Sequence, residues 1–362
     1  MDFNKNIIAR ALLCPESTVD FSPRSWDLLI RQGRRSMLLA RLCQLLKQRD
    51  LLERVPVKPR QHLVAEYKVA EKIEVSTQWE VRCIVKALAP LACPIVFLKG
   101  AAYLLAGDRA AGGRLFSDID ILVPKKSIGP VEKALKAKGW VGTHQNDYDQ
   151  RYYREWMHEL PPMIHLKRQT TLDVHYNILP EVGRVRPDAG RLLDRAVQLG
   201  EGPIWVLSPE DRVVHSAVHL FHNGELEQGL RDLSDIDLLI RQFCGIPDFW
   251  DRLSENAQSL GVERSLFYAL RYASFFFQTP IPEAVLKQLT DSGPPSFGLK
   301  WMDALFLRAL MPDHSSCDDY LTGIARWALF IRAHWLRMPP ELLLRHLLRK
   351  ARMRWESRNH LK

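Results

Sequence analysis

Two aspartates with a single residue between them are the strongest chemical signal in the chain. Asp118 and Asp120 alternate with isoleucines in the stretch Ser117-Asp118-Ile119-Asp120-Ile121-Leu122-Val123. On a β-strand this alternation puts both carboxylates on one face, while both isoleucines enter the core. Two carboxylates so close together repel each other, and a bound divalent cation usually compensates for that repulsion. An isolated pair of this kind is more often a solvated strand edge, so the neighbouring residues decide its interpretation.

Cations, a glycine and a third carboxylate accompany this pair. Arg114 lies four residues before Asp118. Lys99 and Gly100 follow an apolar run and lead a predicted short helix, whose N-terminal amides are suited to bind phosphate. Asp173 lies on a predicted neighbouring strand. Three carboxylates, two cations and a phosphate-binding turn together predict a Mg²⁺ site that holds nucleotide phosphates.

The elements that would position these residues alternate between strand and helix. Continuous apolar runs predict buried strands at 94–98 and 116–123. Helices are predicted at 101–106 and 127–138. Residues 162–166 and 171–176 predict a β-hairpin, whose second arm places Asp173, His175 and Asn177 on one face.

Helical patterns flank this segment on both sides. Residues 1–90 show apolar positions at helical spacing, broken at 56–59, with a second helix predicted at 63–88. From Ser208, a helix N-cap followed by Pro209, the chain is predicted to be helical to its end. We therefore predict an α+β fold, with an N-terminal helical region at 1–90, a core with a small mixed sheet at 91–205 and a C-terminal helical domain at 206–362.

The motifs between Phe97 and Tyr176 resemble those of a known superfamily. Phe97-Leu98-Lys99-Gly100, the stretch from Arg114 to Val123, and Leu172-Asp173-Val174-His175-Tyr176 resemble the polymerase-β-type nucleotidyltransferases. More narrowly, they are similar to an uncharacterised bacterial nucleotidyltransferase family with LKG, RxxxDIDxLV and LDxHW-like motifs. The superfamily usually has Gly-Ser or Gly-Gly where this chain has Gly100-Ala101.

The resemblance implies a polymerase-β-like core and a role for each motif. Asp118 and Asp120 would hold two Mg²⁺ (or Mn²⁺) ions, and Asp173 would share the catalytic metal and help to activate the acceptor. The reaction would be an in-line displacement at the α-phosphate of an NTP, with release of pyrophosphate. The candidate nucleotide-binding residues are Lys99, Gly100, Arg114 and Ser117, and His175 is a candidate substrate contact.

Two other patterns could be mistaken for the site. Ser234-Asp235-Ile236-Asp237 nearly repeats the first motif, but the surrounding leucines recur at helical spacing. We expect Asp235 and Asp237 to be helical and not to bind the catalytic metals, with Asp235 a candidate partner for a nearby His or Arg. Three histidines at i, i+4 and i+7 would suit a metal hydrolase only if they met a carboxylate, and we interpret them as structural: His215, His219 and His222.

Composition sets broad limits on the class of protein. The net charge of +9 favours polyanionic partners such as nucleotides, nucleic acid or an anionic membrane surface. Six scattered cysteines without a CxxC pair indicate neither a zinc ribbon nor a disulfide framework. The sequence has neither a long apolar run nor a signal-like start, so we predict a cytoplasmic protein without a transmembrane segment.

A basic C-terminal segment has two interpretations. It could bind nucleic acid or a peripheral anionic surface, or it could pack as helices with a solvated basic face, which we favour slightly because of its leucines. Its cations are Arg326, Arg332, Arg337, Arg345, Arg349, Lys350, Arg352, Arg354 and Arg358.

These observations predict a metal-dependent nucleotidyltransferase that transfers an NMP from an NTP. The acceptor stays open between a small molecule, a protein and a nucleic acid. The alternative is a non-catalytic nucleotide- or nucleic-acid-binding regulatory protein on the same core, which three intact carboxylates disfavour.

Overall fold

Four helices precede the first strand. The structure, a computed structural model, describes residues 6–143, 150–200, 202–222, 224 and 226–343. The first helices are α1 (Ile7–Leu13), α2 (Pro23–Arg35), α3 (Leu39–Gln48) and α4 (Val57–Leu88). The Ser22 side chain caps α2 by accepting a hydrogen bond from the backbone N–H of Ser25. Helix α4 begins directly after Pro56, earlier than predicted, because a proline such as Pro59 is tolerated in the first turn of a helix.

The described residues form one mixed sheet of seven strands. The strands are β1 (Ile95–Leu98), β2 (Asp118–Leu122), β3 (Trp140–Gly142), β4 (Met163–His165), β5 (Thr171–His175), β6 (Val197–Gln198) and β7 (Ile204–Val206). Their order in the sheet is β3-β4-β5-β2-β1-β7-β6. Strand β2 is antiparallel to β1 and parallel to β5, and β1 is parallel to β7. The predicted α+β class is therefore confirmed.

The central strands are those that the sequence predicted. All of β1 is buried, as are four of the five residues of β2, which agrees with the apolar runs that indicated them. Strands β4 and β5 pair antiparallel and confirm the predicted hairpin. Strands β3, β6 and β7 were not predicted, because two or three residues are too few to show an alternating pattern.

Further helices lie between the strands and after them. Helices α5 (Lys99–Ala106) and α6 (Ile128–Ala137) follow β1 and β2, and α7 (Ala189–Asp194) precedes β6. The later helices are α8 (Pro209–His222), α9 (Gly229–Phe243), α10 (Phe249–Leu260), α11 (Glu263–Phe277), α12 (Glu283–Thr290), α13 (Ser296–Ala309) and α14 (Thr322–Arg337).

Helix α8 is the central helix of the C-terminal half. As predicted, Ser208 caps it: its hydroxyl accepts a hydrogen bond of 3.1 Å from the backbone N–H of Asp211. Nearly every residue of α8 is buried, and the helix packs against α9, α10 and α11. A helix buried on all sides is typical of the centre of a larger core.

The buried apolar side chains form one continuous cluster from Ile7 to Leu329. This cluster joins the N-terminal helices, the sheet and the C-terminal helices. Strand β7 ends at Val206, one residue beyond the predicted end of the core region. Among the described residues, we find no helix with the length and apolar character needed to span a bilayer.

Candidate active site

Three aspartates meet where β2 runs beside β5. Asp120 and Asp173 are register partners on these parallel strands, and Asp118 lies on the same strand as Asp120. One carboxylate oxygen from each of the three lies within 4.8 Å of the others. The structure therefore brings together the three carboxylates that the sequence singled out. Register partners on neighbouring strands point to the same face of the sheet, and so do residues two apart on one strand.

Asp120 is the most strongly held carboxylate of this triad. It is 3% exposed, and its Oδ1 accepts hydrogen bonds from Lys99 Nζ at 2.8 Å and from His175 Nε2 at 3.1 Å. Burial alone would raise the pKa of Asp120, but the Lys99 ammonium and the His175 hydrogen bond hold that pKa well below its usual range. Asp120 therefore stays ionised.

The pKa of Asp173 is shifted in the opposite direction. Burial, followed by the negative charge of Asp120, raises the pKa of Asp173 to about 7. Its Oδ1 is buried and has no hydrogen-bond partner among the described residues. A buried carboxylate oxygen without a donor is costly, and a divalent cation bound by oxygen ligands would remove that cost. The triad thus fits an Mg²⁺ or Mn²⁺ ion.

The turn between β1 and α5 aims Lys99 at the triad. Leu98 is the register partner of Asp120, so the next residue, Lys99, lies at the same end of the sheet. Its φ of 47° is a left-handed conformation that favours glycine and is costly for lysine. Burial lowers the pKa of Lys99, but the charge of Asp120 outweighs that effect and raises it.

Gly100 allows the start of α5 to pack against the segment before β2. A Cβ atom at this position would lie 2.6 Å from Nη1 of Arg114 and 2.9 Å from Cγ of Phe116. Any larger residue would push these two side chains away. The glycine is thus required by close packing in addition to any role of its amide.

Arg114 lies in the cleft wall but is already paired. It is 7% exposed, its Nε donates a hydrogen bond of 2.6 Å to Oδ2 of Asp235, and its Nη2 is 3.6 Å from Asp232. Ser117, by contrast, is exposed at the cleft. Nucleotide contacts by Lys99, Gly100, Arg114 and Ser117 stay predictions, and Arg114 would have to serve both Asp235 and a phosphate.

The second Ser-Asp-Ile-Asp copy is helical, as predicted. Asp235 lies in α9 and accepts hydrogen bonds from Arg41 at 2.7 Å and from Arg114. The predicted pairing of Asp235 with a nearby cation is therefore confirmed. Asp237 binds Arg241 at 2.8 Å and Thr279 at 2.7 Å.

The three histidines of α8 separate into two groups. His215 and His219 line the cleft, and burial followed by the charge of Lys99 lowers the pKa of each well below its usual value. His222 is also buried, and its pKa is lowered to about 4 by burial, but it does not line the cleft. Among the described residues these histidines do not form a metal-binding group with a carboxylate, and their lowered pKa values keep all three neutral.

Two residues of the site were not predicted from the sequence. Glu159 Oε2 lies 3.0 Å from His175 Nδ1, and the His158 ring stacks on that of His175 with centroids 5.4 Å apart. Burial lowers the pKa of His175, but Glu159 and Asp120 raise it to about 10, so His175 is an imidazolium held by two carboxylates. Burial lowers the pKa of His158 to about 3, and it is neutral. Both ring nitrogens of His175 are thus engaged inside the protein, and its contact with a substrate stays a prediction.

The aspartate triad, Lys99 and the group of His158, Glu159 and His175 line one cleft of about 750 Å³. The C-terminal helices also line this cleft, with Arg231 of α9, which binds Asp232 at 2.7 Å, and with His334 and Arg337 of α14. This volume suits a ligand of nucleotide size.

The basic C-terminal segment is described only in part. Arg326 pairs with Asp313 and Asp318, and Arg332 donates a hydrogen bond to the carbonyl of Phe221. The cations from Arg345 to Arg358 lie outside the described residues, and the prediction about nucleic acid or an anionic surface stays open.

Comparison with known proteins agrees with this geometry. No curated protein matches this chain. The model of a protein family described as uncharacterised nucleotidyltransferase matches residues 22–278, which include the whole sheet, the aspartate triad and α9. The chain therefore belongs to this nucleotidyltransferase family.

Proposed function

We propose that this protein transfers a nucleoside monophosphate from an NTP to an acceptor in a reaction that depends on Mg²⁺ or Mn²⁺ and releases pyrophosphate. Membership of a nucleotidyltransferase family supports the general class of reaction. The observation that carries the finer proposal is the triad of Asp118, Asp120 and Asp173, with oxygens within 4.8 Å of one another at a nucleotide-sized cleft.

The oxygen donors of the triad fit a hard divalent cation. Asp118 and Asp120 would hold two ions, with Asp173 sharing one of them through the oxygen that now has no partner. Bound there, such ions neutralise phosphate oxygens and increase the acidity of an acceptor hydroxyl.

The other residues of the cleft orient the nucleotide and balance its charge. The Lys99 ammonium group, which now donates to Asp120, would also donate a hydrogen bond to a phosphate oxygen. The first backbone amides of α5 would donate to another phosphate oxygen. The hydroxyl of Ser117 is exposed at the cleft and free to contact phosphate. Arg114 adds positive potential from the wall while Asp235 holds it in place.

The direct test is label transfer. The full chain is incubated with each α-labelled NTP, Mg²⁺ and a cell lysate, and labelled molecules are separated by size, by nuclease and by protease sensitivity. We expect one class of acceptor to acquire label and pyrophosphate to appear. Absence of pyrophosphate and label with all four NTPs, from protein that binds them, would favour the regulatory alternative.

A further inference from the structure

A second set of metal-type ligands lies beside the aspartate triad. It consists of His158, Glu159 and His175, and one donor atom from each lies within 4.8 Å of the others. This set shares no residue with the triad of Asp118, Asp120 and Asp173. It combines two imidazoles and one carboxylate, whereas the triad offers only oxygen.

The backbone holds this set rigidly. Glu159 forms an isolated β-bridge with His175. The flanking hydrogen bonds run from Tyr176 N to the carbonyl of His158 and from Leu160 N to the carbonyl of Val174, each 2.9 Å long. The segment that carries His158 and Glu159 is therefore fixed along β5, and the ligands do not depend on a loose loop.

One ring nitrogen of His158 is buried without a partner. His158 is 5% exposed, and its Nδ1 is buried with no hydrogen-bond partner among the described residues. A buried ring nitrogen in that state loses its interaction with water and gains nothing in return. Coordination of a cation would satisfy it.

The Nε2 atom of His175 already has the carboxylate partner that a metal-binding histidine usually has. When His175 Nδ1 faces Glu159, its Nε2 donates to Asp120 Oδ1 at 3.1 Å. A metal-binding histidine almost always donates its other N–H to a carboxylate or carbonyl, which fixes the ring and its tautomer. An ion at Nδ1 would replace the proton that His175 now shares with Glu159 and would leave this outer contact unchanged.

We propose that His158, Glu159 and His175 form a binding site for a divalent ion of the Zn²⁺ class, separate from the Mg²⁺-type triad. Two histidines and one carboxylate suit Zn²⁺ and related transition metals, whereas Mg²⁺ prefers oxygen ligands alone. All three residues line the cleft, and a Zn²⁺ ion with three protein ligands would take its fourth ligand from there. The ion would also fix His175 and, through it, the orientation of Asp120.

The test uses Co²⁺ as a spectroscopic substitute for Zn²⁺ on the full chain after chelator treatment. Titration with Co²⁺ is followed by visible absorption, and Zn²⁺ is then added as a competitor. We expect one Co²⁺ per chain, displaced by Zn²⁺ but not by millimolar Mg²⁺. His158→Ala and Glu159→Gln should each weaken Co²⁺ binding at least ten-fold.

Two controls separate this site from the triad and from misfolding. Asp118→Asn should keep the Co²⁺ spectrum, because Asp118 is not a ligand of the set. His62→Ala removes an exposed histidine of α4 that does not belong to the set, and it should also keep the spectrum. His158→Gln serves as a milder change if His158→Ala fails to fold by circular dichroism. Lack of saturable Co²⁺ binding in the wild type, or equal loss in Asp118→Asn, would overturn the proposal. Neither result bears on nucleotidyl transfer, which label transfer measures separately.

Discussion

The tetrapeptide Ser-Asp-Ile-Asp occurs at 117–120 and again at 234–237, once leading into a strand and once in a helix. In β2 both aspartates point to the cleft side, because residues two apart share a face of a strand. In α9 residues two apart are separated by roughly 200° around the helix axis. Asp235 therefore meets Arg41 and Arg114, while Asp237 meets Arg241 and Thr279.

The two copies differ most in their charge balance. Each aspartate of the second copy has at least one arginine within hydrogen-bonding distance. In the part of the chain that the structure describes, the carboxylates of the first copy, of Asp173 and of Glu159 form ion pairs with only two cations, Lys99 and His175. Identical side chains thus serve stability where arginines neutralise them, and are suited to bind cations where neutralisation is incomplete.

The largest effect should come from the first copy. Asp118→Asn or Asp173→Asn should lower nucleotidyl transfer by about three orders of magnitude or more, equivalent to about 4 kcal/mol of transition-state stabilisation. Folding should be preserved, since each change relieves repulsion between carboxylates. Label transfer measures the first effect and thermal denaturation the second; near wild-type turnover in both variants would end the assignment.

The second copy should behave in the reverse way. Asp235→Asn removes the carboxylate that Arg41 and Arg114 share and leaves their buried positive charges without it. Breaking a buried ion pair in this way lowers the free energy of unfolding by about 3–5 kcal/mol. Urea denaturation should show this loss, whereas Mg²⁺-dependent nucleotide binding by the molecules that remain folded should stay within a few-fold of wild type. Loss of binding without loss of stability would show that Asp235 acts at the site.

A pH titration should sharpen the contrast. In the metal-free protein the pKa of Asp173 is raised from 3.8 to about 7, so the folded state keeps a proton that the unfolded chain releases. The stability that this proton contributes is present below about pH 4 and is lost as pH rises to about 7, on the order of 4 kcal/mol. Asp173→Asn should remove this pH dependence. Mg²⁺ at pH 7 should raise Tm in the wild type, since it binds only the folded state, and should do so much less in the variant.

Asp237→Asn should have the smallest effect. Asp237 is bound by an arginine that is partly exposed and by one hydroxyl, so the change should cost about 1–2 kcal/mol. Transfer activity should be unchanged, which makes this variant a matched control for Asp118→Asn. A loss of activity here, in folded protein, would mean that the helical copy contributes to the reaction.

Local pattern was sufficient to predict the strands that carry the triad. The apolar runs before Lys99 and around Asp118, and the alternation around Asp173, each span enough residues to show a period. The parallel pairing of β2 with β5 then places Asp120 beside Asp173 without further information. Strands β6 and β7 are too short to give such a signal.

Partners that are distant in sequence could not be predicted in this way. Arg114 and Asp235 are 121 residues apart, and Arg41 and Asp235 are 194 residues apart. Glu159 and His158 reach the site only through pairing with β5, and their own segment has no periodic pattern. The tertiary contacts of these side chains, and not the local sequence around them, determine whether they stabilise the fold or belong to the site.

The junction of Arg41, Arg114 and Asp235 has a consequence for the order in which the protein matures. Asp235 is synthesised after the entire sheet, and until it is present the two arginines have no carboxylate to hold the segment that leads into β2. We therefore expect a nascent chain that ends before α9 to contain every residue of the aspartate triad and yet to have no ordered cleft. The protein would become competent to bind nucleotide only when its C-terminal helices have left the ribosome.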